Sequence, residues 1–450
     1  MCGIAGLFDP KGHAQFSPDR IERMTNALAH RGPDGAGVWT DAGVGLGHRR
    51  LSIIDLEGSP QPMRSADGRA VIVFNGEIYN FRSLRAQLMQ DGVRFATEGD
   101  TEVILAAWQK WGVDCLERLD GMFAFALYDR SARQLFLARD RFGVKPLFLT
   151  ELSDGTLAFG SELKALLTQP GVARRLDPQA LDAYLAWGYV PDTHSILSGE
   201  PKLPAGHFML CAFLSGGVDS SSVVALMSEA SDKPVRTCSI GFDVEAVDET
   251  GYAQRVAEQF ATDHRSRIVG QDDFEAVDAL ASIFDEPFAD ASALPTWRVC
   301  QLAREHVTVA LSGDGADEAF AGYRRQVFHH HEERARAVLP SGLRGPVFGA
   351  LGRLWPKADW APRPLRAKAT LLALAEDGAA GYARGLSATT AEQRAGLYSE
   401  GLTRELAGFR AEDELITLMR SAPAQSGLDQ AQYADLSFWL PGDILTKEDR

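Results

Sequence analysis

The chain opens on an apolar, strand-like run, Met1-Cys-Gly-Ile-Ala-Gly-Leu7. The next apolar positions, Ile21, Met24 and Leu28, share one face of a helix that Ser17-Pro18 caps, and the helix runs into the turn His30-Arg-Gly-Pro-Asp-Gly35. Residues 70–74 form an apolar strand that ends in Asn75-Gly-Glu-Ile-Tyr-Asn80, and Asp100-Thr-Glu opens another helix. Further on, apolar stretches at 212–214, 235–241, 264–269 and 307–311 alternate with helical ones. In the helix expected over 249–260, Tyr252, Val256 and Phe260 lie on one side. Such alternation implies a parallel sheet with helices on both faces and ligands at the carboxyl ends of its strands. Residues 325–435, rich in Arg, Ala and Leu, read as connected helices that serve as scaffold.

Length and composition widen this picture without redirecting it. With 450 residues, 45% hydrophobic and 24% charged, the chain can bury more than one core, and two or three domains are expected. No apolar run is long enough to span a bilayer and no basic, apolar leader is present, so no membrane association is expected and the cytoplasm is the default. The five cysteines, at 2, 115, 211, 238 and 300, have neither disulfide nor metal-ligand spacing and read as free thiols. A formal charge of -15 disfavours nucleic acid as a partner, so any anionic substrate must be held by local devices.

Several segments carry chemistry. If Met1 is removed, Cys2 becomes the N-terminus, and its α-amino group, with a pKa of roughly 7.7–8.0, can accept the thiol proton. The alternative is one buried thiol in a first strand. Asn75-Gly76 alone is a tight turn, but a carboxamide and a glycine N–H exposed together also suit an oxyanion hole. Asp100 is an ordinary N-cap or a partner for a substrate ammonium, and Arg50 offers a matching fork for a substrate carboxylate. Ser215-Gly-Gly-Val-Asp-Ser-Ser221 follows the strand at 212–214 and precedes a helix, the order a phosphate-binding loop requires, without the Gly-Lys-Ser ending of a Walker loop. Ser312-Gly-Asp-Gly-Ala-Asp-Glu318 stands at another strand end.

These residues resemble a known family in order and type. Cys2-Gly-Ile, Arg31-Gly-Pro-Asp-Gly, Arg50-Leu-Ser-Ile, Asn75-Gly-Glu and Asp100 are similar to the glutaminase domain of class II glutamine amidotransferases, an αββα, Ntn-hydrolase-like fold. Segments 121–127, 137–146 and 159–164 complete that likeness. The resemblance implies Cys2 as nucleophile, Asn75 and Gly76 as oxyanion donors, and Arg50, Leu51, Ser52, Ile53, Glu77 and Asp100 around glutamine. The second half resembles the ATP-pyrophosphatase (adenine nucleotide α-hydrolase-like) fold, and Ser312 to Glu318 with Gly322-Tyr323 narrows it to asparagine synthetases. That likeness implies ATP at Leu214, Ser215, Gly216, Gly217, Asp219, Ser220, Ser221, Ile240, Ser312 and Gly313. It also implies Mg2+ at Asp219 and Asp317, and an acyl-adenylate placed by Asp314, which stands where many relatives carry glutamate.

The expected organisation is thus an α/β chain with a glutaminase domain over 1–209 and a synthetase domain over 210–450. The expected function is ATP-dependent amidation of aspartate with ammonia from glutamine, in a chain that, like its relatives, could form a homodimer. Asp285-Glu-Pro-Phe-Ala-Asp290 and Ser292 resemble the family without an assigned role. Two departures stand out: the junction at 208–213 is short, and Leu440-Pro-Gly-Asp-Ile-Leu-Thr-Lys-Glu-Asp-Arg450 resembles a segment that continues in the family towards a lysine that stabilises the adenylate. Two rivals stand beside this reading: an amidotransferase acting on another carboxylate in exopolysaccharide metabolism, since Tyr189-Val-Pro-Asp192 and the 325–435 region resemble those of exopolysaccharide and exosortase systems, and, because that lysine is missing, a glutamine- or nucleotide-binding protein with a defective synthetase site.

Overall fold

The computed structural model describes residues 1–205 apart from 11, 13, 57 and 201, together with 236–242, 250–269, 275–307, 309–338, 341–356 and 367–449. In chain order the first part holds strands β1 (Gly3–Phe8), β2 (Gly35–Asp41), β3 (Val44–Arg50), β4 (Met63–Arg64), β5 (Ala70–Ile78), β6 (Gly121–Asp129), β7 (Gln134–Arg139), β8 (Phe148–Glu151) and β9 (Leu157–Gly160). Its helices are α1 (Pro18–Asn26), α2 (Phe81–Gln90), α3 (Asp100–Trp111), α4 (Leu163–Leu166) and α5 (Pro178–Trp187). The strands form two antiparallel sheets, ordered β2-β3-β1-β9-β8 and β4-β5-β6-β7.

Period-two alternation sorts the side chains of these strands into layers. Val71, Val73, Ala124, Ala126 and Tyr128 meet Ile4, Val44, Leu46 and Phe159 between the sheets. Ile72, Phe74, Phe123, Phe125 and Leu127 turn the other way, onto Leu84, Leu88, Val103 and Ile104 of α2 and α3. On the outer face of the first sheet, Ala5 and Leu7 pack against Ile21, Met24 and Leu28, the three positions that the helical periodicity of α1 brings together. The result is the expected αββα stack.

In the second part, β10 (Arg236–Phe242) and β11 (Asp263–Val269) pair in parallel, joined through α6 (Thr250–Gln259), as the alternating pattern predicts. Helices α7 (Glu275–Ile283), α8 (Ala293–Arg304) and α9 (Ala316–Phe320) follow, and α8 seals Cys238 and Ile240 with Val299, Leu302 and Ala303. The strand expected over 307–311 forms no ladder with a described strand, and Val309 is exposed. Its expected neighbour at 212–214 lies outside the described residues. From Arg324–Val338 to Gly427–Ala434 the chain is a helical array, ending in a wide π-type helix, Asp435–Ile444, that runs into a last short helix, Leu445–Glu448. No helix among the described residues is long and apolar enough to cross a membrane.

The two parts share α5. Its Ala180 packs on the outer core of the first sheet, whereas Ala183, Ala186 and Trp187 join Tyr382, Leu415, Met419 and Phe438 of the helical array. At the centre of this contact Arg394, which is 1% exposed, pairs with Asp182 of α5 at 2.7 Å and with Glu412 at 2.7 Å. Two buried carboxylates facing one guanidinium are tolerated only while all three are charged and paired. Replacing Arg394 by Met keeps much of the volume and removes the charge, so it should cost about 3–5 kcal/mol of stability. Urea unfolding measures this; a loss below about 1 kcal/mol would mean that water reaches the two carboxylates.

Candidate active site

Cys2 precedes β1, and its thiol sits against the end of β3. The Leu51 N–H points at Sγ from 3.4 Å and the Leu51 carbonyl lies 3.6 Å away. Burial pushes the Cys2 thiol pKa up, so a thiolate needs a nearby base. The amino group in this structure is that of Met1, and burial with the Arg31 charge lowers its pKa to about 6. A main-chain amine that is largely neutral at physiological pH therefore stands one residue from the thiol. Arg31, from the expected Arg-Gly-Pro-Asp-Gly turn, fixes this end of the chain: its Nε donates to the Cys2 carbonyl at 2.8 Å. Gly32 is required beside it, because a Cβ there would come within 2.3 Å of the Arg49 carbonyl carbon.

Asn75 and Gly76 lie within β5, paired with Ala124 and Phe123 of β6, rather than at a strand end. The turn reading fails because the period-two pattern continues through Glu77 and Ile78. Asn75 and Glu77 extend the face of Val71 and Val73, towards the first sheet and Cys2. The Asn75 side chain is 1% exposed, yet neither its Nδ2 nor its Oδ1 has a partner among the described residues. A buried amide left unpaired costs stability unless a ligand completes it. Gly76 lets β6 approach; a Cβ would lie 2.1 Å from the Met122 carbonyl oxygen. His48, absent from the sequence reading, holds the layer beneath: its buried Nε2 lies 3.0 Å from the Phe74 carbonyl, and burial lowers its pKa to about 4, so the ring is neutral.

Asp100 begins α3 but does not cap it, since the N-cap residue is Gly99. Its carboxylate instead accepts the Ile78 N–H at 3.0 Å, which brings it beside Glu77. Burial and the neighbouring Asp100 charge raise the Glu77 pKa to about 8, and burial raises that of Asp100 to about 6. Two carboxylates held at such cost suit a cationic ligand group. Arg50 is committed differently from expectation. Its guanidinium donates to the carbonyls of Ile54, Asp55 and Leu56 at 3.2, 2.7 and 2.8 Å, so it shapes the loop after β3. In that loop Leu51 contacts Cys2, the Ser52 N–H donates to Asp34, and Ile53 follows half-buried.

A second cluster gathers around the last helix. Ser312 is buried, and its Oγ accepts the Asp314 N–H at 3.3 Å; Gly313 follows it, with its carbonyl accepting from Ala316 at 3.3 Å. Lys447 Nζ donates to Asp290 at 2.9 Å and to Ser292 Oγ at 2.7 Å. Burial opposes the Lys447 charge, but Asp290 and Asp443 outweigh it and raise the pKa, so the ammonium persists. Burial and Asp314 together push the Glu448 pKa to about 8, and that of Asp443 reaches about 7 through burial. Ile240 lies at the carboxyl half of β10. Leu214, Ser215, Gly216, Gly217, Asp219, Ser220 and Ser221 lie outside the described residues.

Among the described residues no three acidic, imidazole or thiol groups converge on a metal site. Magnesium bound with a nucleotide needs only one or two carboxylates besides phosphate oxygens. Asp317 fits that limited role: Gly322 leaves it a cradle that a Cβ would fill, 1.9 Å from Oδ1. The contacts of Lys447, Glu448 and Asp449 have no local signature in the sequence, because their partners lie more than 130 positions away.

Comparisons with known proteins agree on both halves. A glutamine amidotransferase domain model matches residues 1–220, and an asparagine synthase model matches 206–450. The Bacillus subtilis glutamine-hydrolysing asparagine synthetase 1 is 30% identical over 508 aligned positions, covering 100% of this chain and 77% of that protein. The Escherichia coli glutamine-hydrolysing asparagine synthetase B is 30% identical over 386 positions, covering 75% of this chain and 68% of that protein. A solved Bacillus subtilis glutamine phosphoribosylpyrophosphate amidotransferase covers 59% of this chain at 19% identity, with a TM-score of 0.34, too slight a likeness to bear on the fold.

Two outcomes follow from the first cluster. Asn75→Ala should lower the rate of glutamine hydrolysis about 100- to 1000-fold with little change in KM, the loss expected for one oxyanion donor; a KM effect alone would remove Asn75 from that role. An ammonium ligand requires ionised Glu77 and Asp100. As pH falls through about 8, Glu77 takes up a proton that the ligand must displace, so the KM for glutamine should rise between pH 8.5 and 6. Glu77→Gln should flatten that rise, and a KM profile unchanged by the substitution would contradict the assignment.

Proposed function

The chain belongs to the glutamine-hydrolysing asparagine synthetase family, and on that footing we propose that it draws ammonia from glutamine at Cys2 and delivers it to an ATP-activated carboxylate of aspartate. In this reading the glutaminase half takes in residues 1–209 and the synthetase half 210–450. Members of the family are ATP-dependent ligases.

With Met1 removed, the α-amino group of Cys2 takes the thiol proton, and Sγ attacks the carboxamide carbon of glutamine. Asn75 Nδ2 and the Gly76 N–H receive the oxyanion, while Glu77 and Asp100 hold the substrate ammonium and Arg50 keeps the covering loop in place. Collapse breaks the C–N bond, ammonia leaves with the proton, and water then releases glutamate from the thioester.

In the second half, the aspartate carboxylate displaces pyrophosphate from ATP, ammonia attacks the acyl-adenylate, and AMP leaves. The loop at 215–221 and Ser312, Gly313 and Ile240 are assigned to the nucleotide. Asp314 is assigned to the acyl group beside it. Asp219 and Asp317 would hold Mg2+, which supplies charge neutralisation at the phosphates.

The observation that carries this reading is the seam between the two clusters. Met122, the β6 partner of Glu77, packs with Val144, Leu440, Ile444 and Leu445, and the last three belong to the helices that carry Asp443 and Lys447. An apolar seam of this kind favours neutral ammonia over ammonium and keeps water from both intermediates.

The deciding assay is pyrophosphate release from ATP with Mg2+ and glutamine, with and without aspartate. Release that depends on aspartate and is matched by asparagine is expected, and Cys2→Ala should abolish it with glutamine yet retain it with ammonium chloride. Glutamate formed without pyrophosphate would reject aspartate as the acceptor.

A further inference from the structure

We propose that Asp449 is a positioning residue for Cys2, through which the state of the acceptor site sets the rate of glutamine hydrolysis. The proposal rests on the function just assigned, and it concerns three consecutive residues at the end of the last helix. Lys447 reaches Asp290 at 2.9 Å and Ser292 at 2.7 Å. Glu448 is half-buried and hydrogen-bonds to Asp314 of the loop assigned to the acyl group. Asp449 turns the opposite way: one carboxylate oxygen accepts from Arg31 Nη2 at 2.7 Å, the other from Lys145 Nζ at 2.9 Å. Arg31 in turn donates Nε to the Cys2 carbonyl at 2.8 Å. The loop assigned to the acyl group, the Asp290–Ser292 segment and the guanidinium that holds the Cys2 carbonyl are thus tied to a stretch of three residues.

These ties are stiff. Arg31, Lys145 and Asp449 are all buried, so each ion pair lacks the screening that loosens surface pairs. The guanidinium is a rigid fork whose other arm is fixed by Glu162 at 2.8 Å. A movement of Asp449 therefore rotates Arg31 about Glu162 and carries the Cys2 carbonyl with it. Lys447, Glu448 and Asp449 are consecutive on the turn that continues the wide helix Asp435–Ile444, so a displacement of Lys447 or Glu448 by substrate reaches Asp449 within one turn. A positional error near 1 Å at a nucleophile can lower turnover about 100-fold. Small shifts at the acceptor end thus suffice to change glutamine hydrolysis, which keeps ammonia from being made when nothing will receive it.

The test uses the full chain. Glutamate formation is followed with and without ATP plus aspartate, and pyrophosphate release is followed separately with ammonium chloride replacing glutamine. In the native chain, ATP plus aspartate should raise kcat for glutamine. In Asp449→Asn that response should vanish and basal kcat should fall about tenfold at unchanged KM, because the substrate clamp is untouched. Ammonia-driven pyrophosphate release should stay within about twofold of native, and Asp449→Glu should recover part of the response.

Three results would overturn the proposal. One is a native response in Asp449→Asn. Another is loss of ammonia-driven release together with glutaminase, the mark of a residue that only holds the fold. The third is a native glutaminase that ignores ATP and aspartate. A native chain that makes no pyrophosphate with either nitrogen donor rejects the assigned function instead. In that case the kcat and KM of Asp449→Asn for glutamine alone still decide whether Asp449 positions Cys2.

Discussion

Arg31 is a guanidinium almost sealed from water, and a charge in that position is tolerable only when its partners are charged and well placed. Burial alone would lower its pKa, but Asp449 and Glu162 more than compensate and raise it. The requirement reaches outward from there. Glu162 is shared with His30 and with Lys164, and Lys164 continues to Asp285 at 3.1 Å, so pairing one buried cation organises a chain of charges that crosses from the sheets to the helical half. Nearby, Lys202 meets Glu286 at 2.6 Å and Arg139 meets Asp192 at 3.0 Å. The nucleophile inherits its position from this arrangement, because its own carbonyl is one of the groups that satisfy Arg31.

Much of the layered half was legible in the sequence because its signals are local. Alternation in β5 and β6 and the face of α1 follow directly from residue spacing, and the Cys2, Asn75 and Glu77 positions lie on those strands or beside them. Where two readings of a residue stood open, longer-range pairing separates them. Asn75-Gly76 has turn chemistry, but pairing with β6 keeps it extended. Asp100 has cap chemistry, but the unpaired N–H of Ile78 claims its carboxylate. Arg50, expected as the fork for a substrate carboxylate, is engaged by three carbonyls of its own loop, contacts that are themselves local. Lys447 and Asp449 stand in the family-like 440–450 segment, but nothing within a few residues of them points to Asp290 or Arg31 as partners.

The element that brings those two residues to their partners is itself irregular. Asp435–Ile444 winds as a wide helix with Pro441 inside it, a geometry that leaves backbone groups less regularly bonded than an α-helix does. Gly442 sits there against the ring of Tyr189, where a Cβ would come within 2.4 Å of Cε2. Tyr189 and Trp187 stack edge-on against Trp439 and Phe438 respectively, so aromatic packing from the first half braces the widened turn. The irregular winding thus lies directly before the short helix that faces both reactive clusters.

The sharing of α5 bears on how such a protein could be reassembled from parts. The two family matches overlap at residues 206–220, and a recombination event or an engineer guided by that overlap would cut there. The cut would carry α5 away with the sheets while leaving behind the helices that cover its second face. Any foreign synthetase half would then have to offer its own basic side chain to Asp182 and its own apolar bed to Trp187. Inheritance of the two halves is therefore coupled through a helix that carries none of the residues assigned to either reaction, and exchange between lineages should favour whole chains over single modules.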